Sequence, residues 1–333
     1  MRFGLTTDFR NPPGSGKTAA TVYSEIIEAM VFAESLGFDG AYIFEHHFTD
    51  DDYVASPLIA ATAIAARTRR MRVGPDIAIL PLYDPVRVAE DGAVLDVISN
   101  GRLDFGVGLG YRPVEYAGYG LDINRKGSRA NEALQIIRRL WQGETVSFDG
   151  KHFQVEGARL SPRPVQRPNP PIWVGGFSKA AARRAARYGD GYVGPTTNKA
   201  MYEMYLTELR GVGKDPTAAR VMGGEVWLIV SEDPDRTFAT YAPHLKYWFD
   251  SYSKWFEGTD TRPWPPITNA EELRSSHLVN VVTPDAAVAT IKQHISEVPV
   301  EMYTMMLSPP GIAMSTVAES IELFAKKVMP HFR

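Results

Sequence analysis

The chain contains no cysteine. Disulfides, thiolate metal sites and a cysteine nucleophile are therefore excluded. Neither charge is in marked excess: 36 Lys and Arg against 39 Asp and Glu leave a formal net charge of -3. Nucleic-acid binders usually present a basic face, so this balance argues against one. No run of like charges suggests an interaction tail. No stretch approaches the roughly 18 uninterrupted apolar residues of a membrane helix. The opening segment MRFGLTTDFR lacks the apolar core of a secretory signal, so a cytoplasmic location is expected. Internal repeats of 20–50 residues are also missing. What is there is 333 residues, 44% hydrophobic and 23% charged, the balance of a soluble globular enzyme. That length suits one large α/β barrel with insertions, which needs roughly 250 residues or more.

Strand-like and helix-like patterns alternate along the chain. RFGLTT (2–7) reads as a buried strand, and the loop DFRNPPGSGK follows it. AATVYSEIIEAMVFAESLG (19–37) has helical spacing and stops at Gly37, a usual helix terminator. GAYIFE (40–45) is a second strand. SPLIAATAIAARTR (56–69) opens with Ser56 as N-cap and Pro57 in the first turn. MRVGPDIAIL (71–80) is a third strand, DPVRVAEDGAVLDVIS (84–99) a helix with the same cap-then-proline start, and RLDFGVGLG (102–110) a fourth strand. A helix over 128–142 and a hairpin around Asp149-Gly150 come next. Then come a strand at 172–176, a helix at 178–189 and a short strand at 190–194. EVWLIVS (225–231) supplies a seventh strand, EMYTMML (301–307) an eighth, and a helix near 315–328 closes the chain. Eight strands with interposed helices favour a closed (β/α)8 TIM barrel over a doubly wound sheet. The chain reads as a single domain, 1–333, with an aromatic-rich insertion at 232–283 over the barrel mouth.

Side chains at the C-terminal ends of barrel strands reach the active site. AYIFEHHF (41–48) places Glu45, His46 and His47 at such an end. Strand alternation forbids all three from pointing into the mouth together. A histidine there can act as a general base near neutral pH. The same residue could instead be a hydrogen-bonded loop histidine, or a metal ligand, although no H-x-H or HExxH spacing supports a metal. IWVGGFSK (172–179) ends a strand with Gly175 and Gly176 and starts a helix at Ser178, a natural phosphate site or an ordinary capped turn. FGVGLGYRPVEY (105–116) opens no helix in the manner of a dinucleotide fingerprint. Its glycines, Gly108 and Gly110 with Tyr111 and Arg112 after them, suit a flat ring lying on the strand end. NPPGSGKT (11–18) nearly matches a P-loop, but Pro12 and Pro13 remove N–H groups that such a loop needs. Trp248, Phe249, Tyr252, Trp255 and Phe256 form a stripe at helical spacing, either a packing face or a substrate wall.

Together these segments resemble the bacterial luciferase-like monooxygenase family, closely over residues 1–195 and more loosely beyond. GFDGAYIFEHHFTDDDYVASPLIAA and RVGPDIAILPLYDPVRVAEDGAVLDVISNGRLDFGVG carry the likeness to the luciferase α-subunit. The family run HPVR-AED--LLD--S-GR--FG is met by Asp84-Pro85-Val86-Arg87, Ala89-Glu90-Asp91, Leu95-Asp96, Ser99, Gly101-Arg102 and Phe105-Gly106. The resemblance implies a catalytic role for His46, the first histidine of the pair, in chemistry at the flavin C4a oxygen adduct. It implies a non-proline cis peptide behind the flavin ring at Asp76-Ile77, and a flavin-phosphate loop at Gly175, Gly176, Phe177 and Ser178. Two positions depart from the α-subunit. Its phosphate-gripping Arg is Leu109 here, with Arg112, Arg183 or Arg184 as candidate replacements, and its phosphate-loop Glu is Phe177.

The implied reaction is oxidation of a small, apolar organic substrate by reduced FMN and molecular oxygen. A separate flavin reductase is the expected partner, because no nicotinamide fingerprint is present. His47, Trp248, Tyr252 and Trp255 are the expected substrate contacts. The same fold family includes enzymes of the 5-deazaflavin coenzyme that transfer hydride instead. It also includes flavin-binding subunits without activity, a reading that His46 opposes. A homodimer is implied by resemblance, and the Ala-rich helix 56–69 suits close helix packing. No resident metal is expected.

Overall fold

The computed structural model describes residues 1–194, 198–257, 259, 264 and 266–333. The first half repeats a strand and a covering helix. β1 (Arg2–Thr7) is followed by α1 (Ala19–Leu36), β2 (Gly40–Ile43) by α2 (Pro57–Arg67), and β3 (Arg72–Pro75) with β4 (Ala78–Ile79) by α3 (Pro85–Ser99). β5 (Phe105–Gly108) leads to the short α4 (Pro113–Gly118) and the long α5 (Lys126–Gln142). A surface hairpin of β6 (Val146–Asp149) and β7 (Gln154–Ala158) precedes β8 (Ile172–Gly175), α6 (Lys179–Tyr188), β9 (Gly191–Val193) and α7 (Lys199–Gly211). The last part holds β10 (Val221–Met222), β11 (Leu228–Val230), α8 (Pro234–Trp255), α9 (Ala270–Ser275), β12 (Asn280–Val282), α10 (Pro284–Glu297), β13 (Met302–Met306) and α11 (Met314–Lys327).

Nine strand segments hydrogen-bond in the order β3-β2-β1-β13-β10-β9-β8-β5-β4, with every recorded pairing parallel. β3 and β4 are successive parts of one strand, broken at Asp76-Ile77, so the ring has eight staves. It closes where Val73 bridges Leu103, with Asp104 N donating to Val73 O at 2.9 Å. The expected barrel is therefore the observed architecture. Helices cover it outside, and their apolar faces and the outward strand residues form one continuous core.

Local chemistry explains the helix ends. The Asp84 carboxylate accepts from Val86 N and Arg87 N, and Pro85 fits the first turn. Gly37, at φ 99°, takes the left-handed conformation that ends α1. Ser56 does stand before Pro57, but its side chain makes no capping bond, contrary to expectation.

The seventh stave differs from the sequence reading. EVWLIVS is not a barrel strand: Leu228–Val230 pairs with Asn280–Val282 in a separate two-stranded parallel sheet. The barrel position belongs to Val221–Met222, which pairs with β9 and β13. The chain leaves the barrel at Gly223-Gly224. A Cβ at Gly224 would sit 1.9 Å from Thr304 O, so only glycine lets the backbone squeeze past β13 there. The β-branched run after it suits a strand equally well in either sheet, and so misleads. The expected insertion, 232–283, forms α8, α9 and β12; its positions 258, 260–263 and 265 lie outside the described residues.

The barrel floor is held by one carboxylate. Asp104 accepts from Tyr42 OH at 2.9 Å, Trp173 Nε1 at 3.1 Å and Arg72 Nε at 2.6 Å. Tyr42, Trp173, Met222 and Met302 fill the barrel interior above it. Replacing Asp104 by Ala leaves Arg72 and two ring donors without their acceptor. We expect a loss of about 3–5 kcal/mol in urea denaturation, against about 1 kcal/mol for Tyr42→Phe.

Candidate active site

β2 ends at Ile43, and the next residues cross the C-terminal mouth of the barrel. Phe44 N donates to Thr7 O at 2.9 Å. The chain reverses through Phe48 and Asp52, both at positive φ, and returns Tyr53 beside His46. Both histidines are buried, at 6% and 5% exposure, but in different surroundings: His46 packs on Tyr53, Tyr111, Tyr252 and Trp255, and His47 on Phe48 and Tyr119. Each is held by its own carboxylate. His46 Nδ1 lies 2.7 Å from Glu115 Oε1, and His47 Nε2 lies 2.7 Å from Glu45 Oε1. Glu45 also accepts from Ile79 N at 2.8 Å and Tyr83 OH at 2.9 Å, which fixes it to the wall.

Burial lowers the His46 pKa from its ordinary value, and the hydrogen bond and charge of Glu115 offset only part of this. Burial alone would raise Glu115, but its bonds from His46 and His47 N and the charge of Arg112 hold it below the usual carboxylate range. An ionised Glu115 accepts a hydrogen bond from Nδ1–H, which leaves Nε2 of a neutral His46 as the acceptor nitrogen. Tyr111 OH faces that atom at 3.3 Å. Burial pushes the Tyr111 phenol far up, so it stays protonated and donates. The arrangement is a base whose one lone pair meets the Tyr111 hydroxyl, in an aromatic shell. The rings of Tyr53, Tyr111, Tyr252 and Trp255 lie 4.9–5.7 Å from the imidazole.

A second feature adjoins it. The Asp76-Ile77 peptide is cis, as the resemblance implies. β5 and β8 run side by side with Val107 opposite Val174, so Gly108 and Gly175 are neighbours at the strand ends. A Cβ at Gly108 would lie 2.5 Å from Ile77 Cδ1, and one at Gly175 3.0 Å from Ile77 Cγ2. The two glycines thus make a floor that receives the Ile77 side chain. Burial raises the Asp76 carboxyl to about 7. Beyond Gly175, Gly176 has φ 138°, Phe177 is 74% exposed, and Ser178 caps α6 by accepting from Ala181 N at 3.2 Å.

The description "luciferase-like monooxygenase" fits a family model that matches residues 1–297 of this chain. The chain belongs to the luciferase-like monooxygenase family. It is similar to the oxygenase component of the flavin-dependent trigonelline monooxygenase of Acinetobacter baylyi, 32% identical over 52% of this chain and 48% of that one. It is also similar to the F420-dependent glucose-6-phosphate dehydrogenase of Amycolatopsis mediterranei, 28% identical over 76% of this chain and 73% of that one. Its fold matches a monooxygenase of Streptomyces bottropensis with TM-score 0.86 and 24% identity over the full length of both chains. It is accordingly an oxidoreductase of a family that holds both flavin monooxygenases and F420-dependent enzymes.

Within this family member the other expected site residues fall into two groups. Gly110 and Tyr111 follow the glycine floor, while Arg112 turns to the His46 side. Arg112 donates to His47 O at 2.7 Å and to Glu115 Oε1 at 3.2 Å, and stacks over Trp255 at 4.6 Å. Leu109 packs against the core. Arg183 pairs with Glu208, and Arg184 bonds Asn131. Tyr252 and Trp255 on α8 reach His46, whereas Trp248 sits a turn back among Trp227, Phe249 and Trp264. The aromatic stripe therefore has one face packed in the core and one turned to His46. Among the described residues no cluster of three or more His, Asp or Glu gathers as a metal site, and no helix is long and apolar enough to cross a membrane.

The sequence reading missed Glu115, although Arg-Pro-Val-Glu at a short helix start puts an acid in its first turn. It also missed Lys126, whose half-buried ammonium donates to Gly110 O at 3.2 Å, just past the glycine floor. Glu115→Gln keeps an oxygen for Nδ1 but removes the charge that raises the His46 pKa. An NMR pH titration should find His46 below 6.5 in the parent and lower still in the variant. An unmoved His46 would show that Glu115 does not tune it.

Proposed function

We propose that the chain is the oxygenase of a two-component system that uses reduced FMN and molecular oxygen on a small organic substrate. The observation that carries this reading is the buried His46, its Nδ1 on Glu115 and its Nε2 on Tyr111 OH, inside an aromatic shell beside the glycine floor. Reduced FMN, when bound, would supply two electrons to oxygen, so that one atom enters the substrate and the other leaves as water. The residues present fit such a group. Gly108, Gly175 and Ile77 offer a flat bed, and a flat ring needs one without protruding side chains. Ser178 and the first N–H groups of α6 lie at a helix N-terminus, which favours a phosphate. Lys126, whose ammonium donates to Gly110 O, would supply the cation that Leu109 does not.

His46 Nε2 takes up and returns a proton at the substrate, and Tyr111 OH holds that lone pair until the substrate displaces it. Tyr53, Tyr252, Trp255 and the stacked pair Tyr111 and Phe256, 4.1 Å apart, keep water away from the reacting atoms. They also receive the apolar part of the substrate, with His47 behind them. The reductase is a separate protein, as the name "oxygenase component" of the Acinetobacter relative suggests. A second reading is hydride transfer with a 5-deazaflavin, supported by the longer match to the F420-dependent relative.

Anaerobic titration with reduced FMN and with reduced deazaflavin, followed by oxygen, separates the two. FMN preference, with reoxidation kinetics altered in His46→Ala, is expected. Tighter deazaflavin binding, with no oxygen consumption, would replace oxygen chemistry with hydride transfer. Lys126→Ala should weaken FMN by about tenfold or more and leave riboflavin, which lacks the phosphate, unchanged. Equal losses for both would remove Lys126 from the phosphate site.

We also propose a homodimer through α2 and α3. They pack side by side and leave Ile59 73% exposed, with Val94, Val97 and Ile98 also open. Light scattering should give twice the 36.9 kDa chain mass, and the double variant Ile59→Asp with Val97→Asp should give one chain. A monomeric parent would end this reading.

A further inference from the structure

Past the end of β1 lies a polar cluster that none of the chemistry above uses. Asp8 and Arg10 are 3% and 2% exposed. Arg10 Nε donates to Asp51 Oδ2 at 2.6 Å and Arg10 Nη2 to Ser251 Oγ at 2.6 Å. Asp51 Oδ2 also accepts from Tyr247 OH at 2.9 Å. The Arg10 backbone N–H donates to Asp8 Oδ1 at 3.4 Å, and the charges of Arg10 and Asp51 both act on the buried Asp8 carboxyl. The guanidinium lies 5.0–5.6 Å from the ring centroids of Tyr247, Trp255 and Tyr53. Tyr53 OH and Tyr252 OH are 2.9 Å apart. Tyr53, Tyr252 and Trp255 are the same rings that surround His46. The cluster is thus one layer of side chains from the imidazole.

Three of its buried atoms have no hydrogen-bond partner: Arg10 Nη1, Asp8 Oδ2 and Asp51 Oδ1. Of the eight such side-chain atoms among the described residues, five belong to Thr7, Asp8, Arg10, Asp51 and Glu115, all at this mouth. Native interiors seldom leave such atoms unpaired, and those that persist mark a ligand or water position. A plain latch between α8 and the barrel explains Arg10 Nε, Arg10 Nη2 and Asp51 Oδ2. It does not explain the three open atoms.

We propose that Arg10, Asp51 and Asp8 bind the polar end of the substrate, a flat aromatic molecule with a carbonyl oxygen beside an O–H or N–H donor. The carbonyl accepts from Arg10 Nη1 and the donor is received by Asp51 Oδ1. A carboxylate would meet two acidic side chains, and a cation would meet the guanidinium, so a neutral pair matches best. The rings of Tyr53, Tyr252 and Trp255, which pack on one another and on His46, would part to take the aromatic body between them. The proposal rests on the oxygenase reading for what happens to this molecule, but its binding needs no cofactor.

The test uses the cofactor-free full chain, titrated by calorimetry and tryptophan fluorescence with 2-hydroxybenzamide, benzoate and ethylbenzene. We expect 2-hydroxybenzamide to bind about tenfold tighter than either of the others. Arg10→Lys and Asp51→Asn should each remove that preference while near-UV circular dichroism stays native. Ethylbenzene or benzoate binding as tightly as 2-hydroxybenzamide in the parent overturns the proposal without any variant. A preference that survives in both folded variants overturns it too. FMN titration of the same preparation keeps the two readings apart. Preference for 2-hydroxybenzamide without FMN binding removes the flavin and leaves the pocket; FMN binding with the wrong ligand order does the reverse.

Discussion

Glu115 Oε1 takes hydrogen bonds from His46 Nδ1, from His47 N and from Arg112 Nη1. One buried carboxylate oxygen thereby sets the imidazole tautomer, the path of the chain after β2 and the place of the guanidinium that stacks on Trp255. An isolated buried carboxylate would be expensive. Three donors, one of them charged, make it tolerable. Remove it and the two histidines lose their shared anchor, and the aromatic shell loses the cation beneath one of its rings. The setting of His46 is therefore a property of α4 as much as of the segment that follows β2.

The two ends of the barrel use polarity in opposite ways. At the floor, Asp104 is shared among Tyr42, Trp173 and Arg72, and each of its oxygens is bonded. At the mouth, buried donors and acceptors remain open beside the strand ends. A satisfied network rigidifies, whereas an unpaired buried group is costly. This division follows from a parallel barrel, in which all strands end at one face and loops alone build the site. The mouth also carries the carboxyls that burial pushes up, Asp8 to about 6 and Asp76 to about 7. Charge is costly there, so the aromatic side chains that dominate the shell exclude water at little electrostatic cost.

Much of this was legible in the residues. Periodicity with glycine, proline and cap signals located the first four staves and their helices, because each unit is held together by short-range contacts. The pair His46-His47 and the glycines at 108, 110, 175 and 176 stood out because strand ends in a barrel share one face. The seventh stave was not legible. Val221–Met222 is two residues long, too short for any alternation, while Leu228–Val230 has the better strand composition and lies in another sheet. The choice was made by crowding at Gly223-Gly224 against β13 and the end of β9, a long-range contact.

By itself, then, the sequence determined the architecture, the family and the side chains available at the mouth, since local propensity and hydrophobic pattern act between near neighbours. Only the tertiary structure decided how those side chains are paired. Glu115 lies 69 positions from His46, Asp51 lies 41 from Arg10, and Ser251 lies 241 from Arg10. Hydrogen bonds of this kind depend on distances of about 3 Å between atoms, and no spacing along the chain encodes them. They arise when the barrel closes and brings the ends of its strands together under α8.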